Sequence, residues 1–318
     1  MVIGASAGGF AALMTLAAEL PASFPAVVFV VLHVAPDFPA ADFVAKLDRE
    51  SGMSWKLPVH GERFAVGTGY FAPPNGHMLV KKRTVLVTKG AHENRYRPAI
   101  DPLFRSAAVA HGSRVVGVVL TGMLDDGTAG LEAVARCGGF TVVQEPLDAA
   151  FPAMPQSALD HVRVSHRATI AEMGALLDRL VRTPVPKSKR APDDVAIEAT
   201  IAERVVSDVQ AAEALGGQVP YNCPDCGGVL WEMSQPKLLR CRCHVGHAFT
   251  ATALLESQSR KIEETLWITL RMLEERRNLA GAMAKKRGTL EISQFAQTRG
   301  READAHIKRI REMLGAGR

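Results

Sequence analysis

Ser6 stands in a glycine-rich stretch, Ile3-Gly4-Ala5-Ser6-Ala7-Gly8-Gly9, where a short apolar run passes into a helical pattern. A hydroxyl at that junction faces the free N–H groups and the positive end of a helix, a setting that favours developing negative charge and suits a nucleophile. Donors for an oxyanion would lie close by, from Ala7 or Gly8. A dinucleotide site would instead need glycine at the second position of the turn and an acid after the next strand. Here the second position is Ser6, and the apolar run of residues 26–32 ends in His33. The plain alternative is that Ser6 only caps the helix. His33, at the carboxyl end of a strand, can serve as general base for Ser6. The orienting carboxylate should come from Asp125 or Asp126, which follow the run of residues 115–120. Spacing does not choose between them, and either could cap the helix that follows.

A second group with chemistry lies far downstream. Four of the five cysteines fall in Cys223-Pro224-Asp225-Cys226-Gly227-Gly228 and Cys241-Arg242-Cys243-His244-Val245-Gly246-His247. In a reducing compartment this spacing points to a metal, with zinc preferred for a tetrahedral set of sulfur and nitrogen donors. Six residues compete for four places. Four protein ligands leave no open position, so the zinc would be structural, and the chemistry at Ser6 needs no cofactor. Cys137, alone before Gly138-Gly139, reads as a buried small hydrophobe.

The elements that must position these groups are legible from periodicity. Residues 1–182 alternate short β-branched runs (27–32, 85–87, 115–120, 141–143) with amphipathic stretches such as Phe10, Leu13, Leu16 and Leu20. That pattern predicts an α/β fold, a doubly wound, mainly parallel sheet in a Rossmann-like three-layer arrangement. The runs are too uniformly apolar to face water, as expected where helices cover both faces. Thr183-Pro184-Val185-Pro186-Lys187-Ser188-Lys189-Arg190 reads as a linker. The expected organisation is a catalytic domain over 1–182, linker and helix over 183–219, a metal-binding knuckle over 220–250 and an α-helical tail over 251–318. Within it, residues 193–215 read as one helix, capped by Asp193 or Asp194 and stopped by Gly216-Gly217. The tail stripe Leu255, Ile262, Leu266, Leu270, Leu273 and Ala280, and a returning one of Leu290, Phe295, Ile307, Ile310 and Leu314, predict a helical hairpin.

Charge excludes little and suggests less. The net charge of +5 is spread as 17 basic against 16 acidic residues in 1–182, and 21 against 17 in the remainder. A mixed-charge helical tail is usually a solvated face, so no nucleic-acid partner is expected. The longest apolar stretch is far short of the ~20 residues a membrane helix needs, so no membrane insertion is expected. No export signal is recognised at the start, which points to the cytoplasm.

Six segments, taken together, resemble the catalytic domain of the chemotaxis protein-glutamate methylesterases, the CheB family. They are the Ser6 stretch, Leu32-His33-Val34-Ala35-Pro36, Ala72-Pro73-Pro74-Asn75-Gly76-His77, Arg97-Pro98-Ala99-Ile100-Asp101, Leu120-Thr121-Gly122-Met123-Leu124-Asp125-Asp126-Gly127 and Ala153-Met154-Pro155. The resemblance covers most of residues 1–182. It implies Ser6 as nucleophile, His33 as general base and Asp126 as the orienting acid. By the same likeness Met123 lies beside the oxyanion site, and His77, Arg97, Asp101 and Met154 fall in loops lining the cleft. Many members have threonine where Ala7 stands, so a hydroxyl beside the nucleophile is absent here. The family usually carries an amino-terminal receiver domain; this chain starts almost on the first catalytic strand, so a stand-alone form without phosphorylation in cis is expected. Similar tails in stand-alone members imply Cys223, Cys226, Cys243 and His247 as ligands, with Cys241 and His244 as alternatives.

The implied activity is hydrolysis of glutamate γ-methyl esters on chemoreceptor helices, with glutamine deamidation as a second acyl transfer. The implied partners are those methylated receptor helices; the tail leaves open a regulatory protein or self-association. A different class of function, a non-catalytic signalling adaptor that uses the esterase fold as a platform, would leave the three site groups without a role.

Overall fold

The computed structural model describes residues 1–188, 190–204, 208–233, 238–285 and 290–315. The first half alternates strands and helices: β1 (Val2–Ala5), α1 (Gly9–Glu19), β2 (Val28–Leu32), α2 (Ala40–Glu50), β3 (Ser54–Lys56), β4 (Thr68–Phe71), β5 (His77–Val80), β6 (Val85–Thr88) and α3 (Ile100–His111). It continues through β7 (Val116–Val119), α4 (Thr128–Arg136), β8 (Phe140–Gln144), α5 (Ala153–His161), β9 (His166–Ala168) and α6 (Ile170–Arg182). Seven of these strands form one parallel sheet in the order β3-β4-β2-β1-β7-β8-β9.

Period-two alternation splits the apolar strands between two cores. Ile3, Ala5, Val28, Val30, Leu32, Val116 and Val118 pack with Leu13, Leu16, Phe43, Leu47, Met173 and Leu177 of α1, α2 and α6. Val2, Phe29, Val31 and Val119 pack on the opposite face with Ile100, Leu103, Phe104, Leu131, Val134, Met154 and Ala158 of α3, α4 and α5. Helices on both faces bury every strand residue of β1, β2 and β7, which is why those runs carry no polar alternation. The run at residues 85–87 departs from this expectation, since β6 pairs with β5 in a separate antiparallel hairpin. An apolar run of that length does not by itself reveal which sheet it joins.

Beyond residue 182 come α7 (Asp193–Glu203), α8 (Val209–Glu213), β10 (Gly216–Asn222), β11 (Val229–Met233), β12 (Arg240–Cys243) and β13 (Ala248–Thr250). The single helix expected over 193–215 is therefore two. Arg204 is already extended after α7, and Asp208 opens α8 by accepting the Ala211 N–H at 2.7 Å. An aspartate that caps in mid-segment starts a new helix rather than continuing an old one. The N-cap of α7 is Pro192, not Asp193 or Asp194, and Gly216-Gly217 begin a strand instead of ending a helix. β10 to β13 form an antiparallel sheet, β10-β11-β12-β13.

That small sheet belongs to the same compact unit as the large one, residues 1–254. A buried ionic cluster joins them. Glu198 of α7 accepts from Arg240 (2.9 Å) and Arg242 (3.2 Å) of β12 and lies 3.4 Å from Arg105 of α3. Glu93 accepts from Arg105 (2.5 Å) and Arg242 (3.0 Å). Burial alone would raise the Glu198 carboxyl, but the guanidinium groups of Arg240, Arg105 and Arg242 outweigh it and hold it well below the usual range. A depressed folded pKa stabilises the fold above the unfolded value, about 4.3, and that contribution fades only as pH falls through the lower folded value. Glu198→Ala leaves three buried arginines facing one carboxylate. It is expected to destabilise the unit by about 3–5 kcal/mol, read from the urea midpoint; a loss under about 1 kcal/mol would show that the cluster does not hold the two sheets together.

The second unit, residues 255–318, holds most of α9 (Ala251–Lys285) and all of α10 (Leu290–Gly315). These helices run antiparallel, since Arg277 faces Asp304 and Arg311 faces Glu274. Among the described residues the buried apolar positions are Leu270, Ala280, Ala296, Ala303 and Ile307, while Leu255, Ile262, Leu290 and Phe295 of the expected stripes are exposed. Leu270, Ala280 and Ile307 of the expected stripes are thus buried, and Ala296 and Ala303, outside those stripes, complete a small-residue seam that lets the two helices approach closely.

Candidate active site and a cysteine-rich cluster

In the large sheet, β1 neighbours β2 on one side and β7 on the other, so the strand order reverses at β1. Side chains leaving the carboxyl ends of these three strands meet in the crevice outside that reversal. Ser6 follows β1, His33 follows β2, and Asp126 follows β7. Ser6 Oγ lies 3.1 Å from His33 Nδ1, and His33 Nε2 lies 2.8 Å from Asp126 Oδ2. The tautomer follows from the partners. A carboxylate can only accept, so Nε2 carries the proton, Nδ1 is left as an acceptor, and the Ser6 hydroxyl donates to it. Ser6 does not cap α1: the N-cap is Gly8, in the left-handed region at φ 73°, with no side-chain cap.

Asp126 is held from five directions. Its Oδ1 accepts from Asn94 Nδ2 (2.9 Å), Gly127 N (2.9 Å) and Asp101 N (3.3 Å), and its Oδ2 accepts from Ile100 N (2.7 Å) besides His33. Burial pushes this carboxyl up, but its hydrogen bonds and the imidazole outweigh burial and hold it below its ordinary value. Asp125 has a different place: its Oδ1 accepts from the Thr250 hydroxyl at 2.7 Å, so the choice that spacing left open falls geometrically on Asp126. The His33 ring stacks on Tyr96, centroids 3.6 Å apart and planes within 10°.

Backbone donors frame the hydroxyl. Ser6 N–H is taken by Thr121 O (3.0 Å), and Ser6 O accepts from Gly9 N (2.8 Å). In a planar trans peptide the Ala7 N–H points opposite to that carbonyl. Among the described residues neither Ala7 N–H nor Met123 N–H has an acceptor. Thr121 Oγ1 donates to Ala7 O (3.0 Å) and accepts from Phe151 N (2.8 Å), which fixes this turn. A Cβ on Gly122 would lie 2.1 Å from Met154 Sδ and 2.9 Å from Ser6 Cβ, so only glycine lets the Met123 loop approach the serine this closely. Met123 itself is exposed at the rim.

The other residues expected to line a cleft have different positions. His77 is buried, with Nε2 donating to Ala91 O (2.9 Å) and Nδ1 accepting from Ala99 N (3.2 Å). Burial lowers its pKa, consistent with a neutral ring that pins the 91–99 loop. Asp101 is buried beneath Asp126, and its Oδ1 accepts from Gly127 N (3.1 Å) and Gly130 N (2.6 Å), capping α4 from α3. Burial, and then the charge of Asp126, raise its pKa. Met154 is buried under Gly122. Arg97 spends its guanidinium on Asn75 Oδ1 (2.6 and 2.9 Å) and Gly90 O (2.9 Å). His77, Asp101 and Met154 are buried and support the site from within, whereas Arg97 is half-buried and ties Asn75 to Gly90.

Tyr96, Asn94, Thr121 and Gln144, whose Oε1 accepts the Thr121 N–H at 2.8 Å, were not singled out by their types or spacing. The signal available was Asn94 itself, a residue type that tolerates the left-handed backbone it adopts, φ 49°.

The cysteine-rich segment supplies a separate cluster. One donor atom each from Cys223, Cys226, Cys243 and His247 lies within 4.8 Å of the others. Cys226 Sγ and Cys243 Sγ are 3.8 Å apart, and Cys243 Sγ is 3.6 Å from His247 Nδ1. Zinc–sulfur bonds of about 2.3 Å in a tetrahedron span edges of about 3.8 Å, so the donor set fits that ion. A thiol hydrogen bond from Cys223, followed by His247, draws the Cys243 thiol well below its ordinary value despite burial, toward the ligating thiolate. Cys241 is packed in the core of the small sheet, where burial pushes its thiol up to about 11. His244 packs edge-on against Trp231, centroids 6.3 Å apart. All five cysteines are free, and Cys137 is buried.

Fold and site define a wound α/β protein with a serine, a histidine and an aspartate hydrogen-bonded in series at the sheet's switch point. The family model described as CheB methylesterase matches residues 1–177, and the chain belongs to that family. A relative from Leptospira interrogans, provisionally named protein-glutamate methylesterase/protein-glutamine glutaminase, is 34% identical over 57% of this chain and 93% of its own length. A protein of the same name, numbered 1, from Geobacter metallireducens is 35% identical over 54% of this chain, which spans about half that relative's length (48%). The crystal structure of the Thermotoga maritima CheB methylesterase catalytic domain matches with a TM-score of 0.55 at 30% identity, covering 57% of this chain and 97% of that one. The matched family model ends at residue 177, before the small sheet and the tail. Among the described residues no helix is long and apolar enough to cross a membrane.

Proposed function

We propose that the protein is a protein-glutamate methylesterase that hydrolyses glutamate γ-methyl esters on chemoreceptor helices, in the cytoplasm. The observation that carries this reading is the continuous relay Ser6 Oγ, His33 Nδ1, His33 Nε2, Asp126 Oδ2. Ser6 attacks the ester carbonyl while His33 Nδ1 takes its proton, and Asp126 stabilises the imidazolium through Nε2. The N–H groups of Ala7 and Met123 are the donors available to the tetrahedral oxyanion. His33 returns the proton to the leaving methoxide, methanol departs, and water activated by the same imidazole releases the glutamate. Glutamine would follow the same path with ammonia as leaving group.

Cys223, Cys226, Cys243 and His247 would hold a zinc ion whose part is structural, since four protein donors leave no position for water or substrate. The test is methanol release from a methylated receptor fragment by the full chain, with metal analysis of the same untagged protein. Steady methanol release and about one zinc per chain are expected. A folded, zinc-loaded protein that releases no methanol from any methylated receptor fragment would overturn the reading, and would favour a non-catalytic adaptor on the same fold.

A further inference from the structure

The small sheet does more than sit beside the large one. Its last strand, β13, runs along the segment that holds the site's histidine and carboxylate. Asn94 N–H donates to Ala248 O (2.8 Å), and Ala248 N–H donates to His92 O (3.3 Å), a parallel bridge that adds residues 92–94 to the edge of the small sheet. Thr250 N–H donates to Asn94 Oδ1 (3.0 Å). That bond decides the orientation of the Asn94 amide. With Oδ1 committed to a donor, Nδ2 must face the other way, and it donates to Asp126 Oδ1 (2.9 Å) and Asp101 Oδ2 (3.0 Å). Two residues on, Tyr96 stacks against the His33 ring. The Thr250 hydroxyl holds Asp125, the residue before Asp126. One short segment thus touches both the imidazole and its carboxylate partner, and β13 grips that segment by backbone pairing.

What fixes β13 is the turn before it. Cys243 ends β12, His247 immediately precedes β13, and these two clustered side chains bracket a five-residue turn closed by Gly246 N to Cys243 O (3.0 Å) and Cys243 N to His247 O (2.9 Å). A four-ligand ion at Cys223, Cys226, Cys243 and His247 would tie that turn to the Cys223–Cys226 loop. Arg242, between Cys241 and Cys243 of β12, donates to Gly246 O (2.8 Å) and reaches Glu93, adjacent to Asn94.

We propose that the metal-binding sheet is a built-in support of the hydrolase site, and that Asn94 is the positioning residue through which β13 orients Asp126 and hence the His33 tautomer. Metal occupancy then sets the turnover of a site where no metal meets the substrate. The inference rests on the triad reading above, but its first readout does not depend on any ester being cleaved.

The experiment is proton NMR of the full-length protein with labelled histidine, following the downfield His33 Nε2–H resonance of the hydrogen bond to Asp126. Four samples are compared: the parent, the parent stripped by a chelator, the stripped protein reloaded with zinc ion, and Asn94→Gly. Glycine accepts the left-handed backbone at this position, so Asn94→Gly removes the amide without straining the chain. Stripping and Asn94→Gly should each move the resonance upfield or broaden it, zinc should restore only the stripped sample, and kcat should fall about tenfold or more with KM within about twofold, as for a misplaced catalytic group. If stripping unfolds the chain, Asn94→Gly decides alone, because it leaves the cysteine cluster intact. An unmoved resonance with unchanged kcat in Asn94→Gly overturns the proposal and leaves the methylesterase reading standing. A moved resonance in a protein without methanol release does the reverse.

Discussion

Replacing Ser6 with alanine is expected to lower kcat for methanol release by roughly 10⁴- to 10⁶-fold, with little change in the urea midpoint. The hydroxyl makes the hydrogen bond to His33, at 3.1 Å, and Ser6 N–H and O are bonded to Thr121 and Gly9 through backbone atoms that alanine keeps. The turn therefore survives the change. What is lost is the covalent route: without Oγ, water has to attack the ester directly, and only oxyanion donors and binding remain to assist it. Activity within about tenfold of the parent would remove Ser6 from the nucleophile's place.

Asp126→Asn should reduce kcat by about 10⁴-fold while the protein stays folded. The argument is one of donors and acceptors. All five groups around Asp126 donate: Asn94 Nδ2, Gly127 N and Asp101 N at Oδ1, and Ile100 N and His33 Nε2 at Oδ2. An asparagine must turn its NH₂ toward one set. Facing three donors at Oδ1 is worse than facing two at Oδ2, and of those two only the imidazole can exchange its proton for a lone pair. The ring then accepts at Nε2 and carries its proton on Nδ1, aimed at Ser6, where it can no longer take the hydroxyl's proton. The variant should show normal substrate binding and a collapsed turnover, resolved by measuring KM and kcat separately. A variant with kcat within tenfold of the parent would show that the carboxylate does not set the tautomer.

How much of this was readable beforehand differs from residue to residue. The runs that became β1, β2 and β7 were legible because strands buried on both faces have no polar alternation to hide them. The residues ending them, Ser6, His33 and the Asp125-Asp126 pair, could be placed at strand ends for the same reason. The six-segment resemblance then separated Asp126 from Asp125. It did not reveal that His77, Asp101 and Met154 are buried, since a motif records that a residue is needed and is silent on whether it faces substrate or backbone. The helix expected over 193–215 is two because Asp208 caps a new start, a local signal that the apolar spacing of the whole segment outweighs when it is read as one run.

The order of strands along the chain, the chemistry of the three side chains and the spacing of the cysteines follow from the sequence alone, because each depends on local pattern or on residue type. The convergence of Ser6, His33 and Asp126 from positions 27 and 93 residues apart was decided by strand order in the sheet. So was the placement of Asn94 between Asp126 and Thr250, 156 residues from the latter. Contacts of that separation leave no periodic trace, since they arise from which edges pair and which faces are covered, and those are settled only when the whole chain has packed.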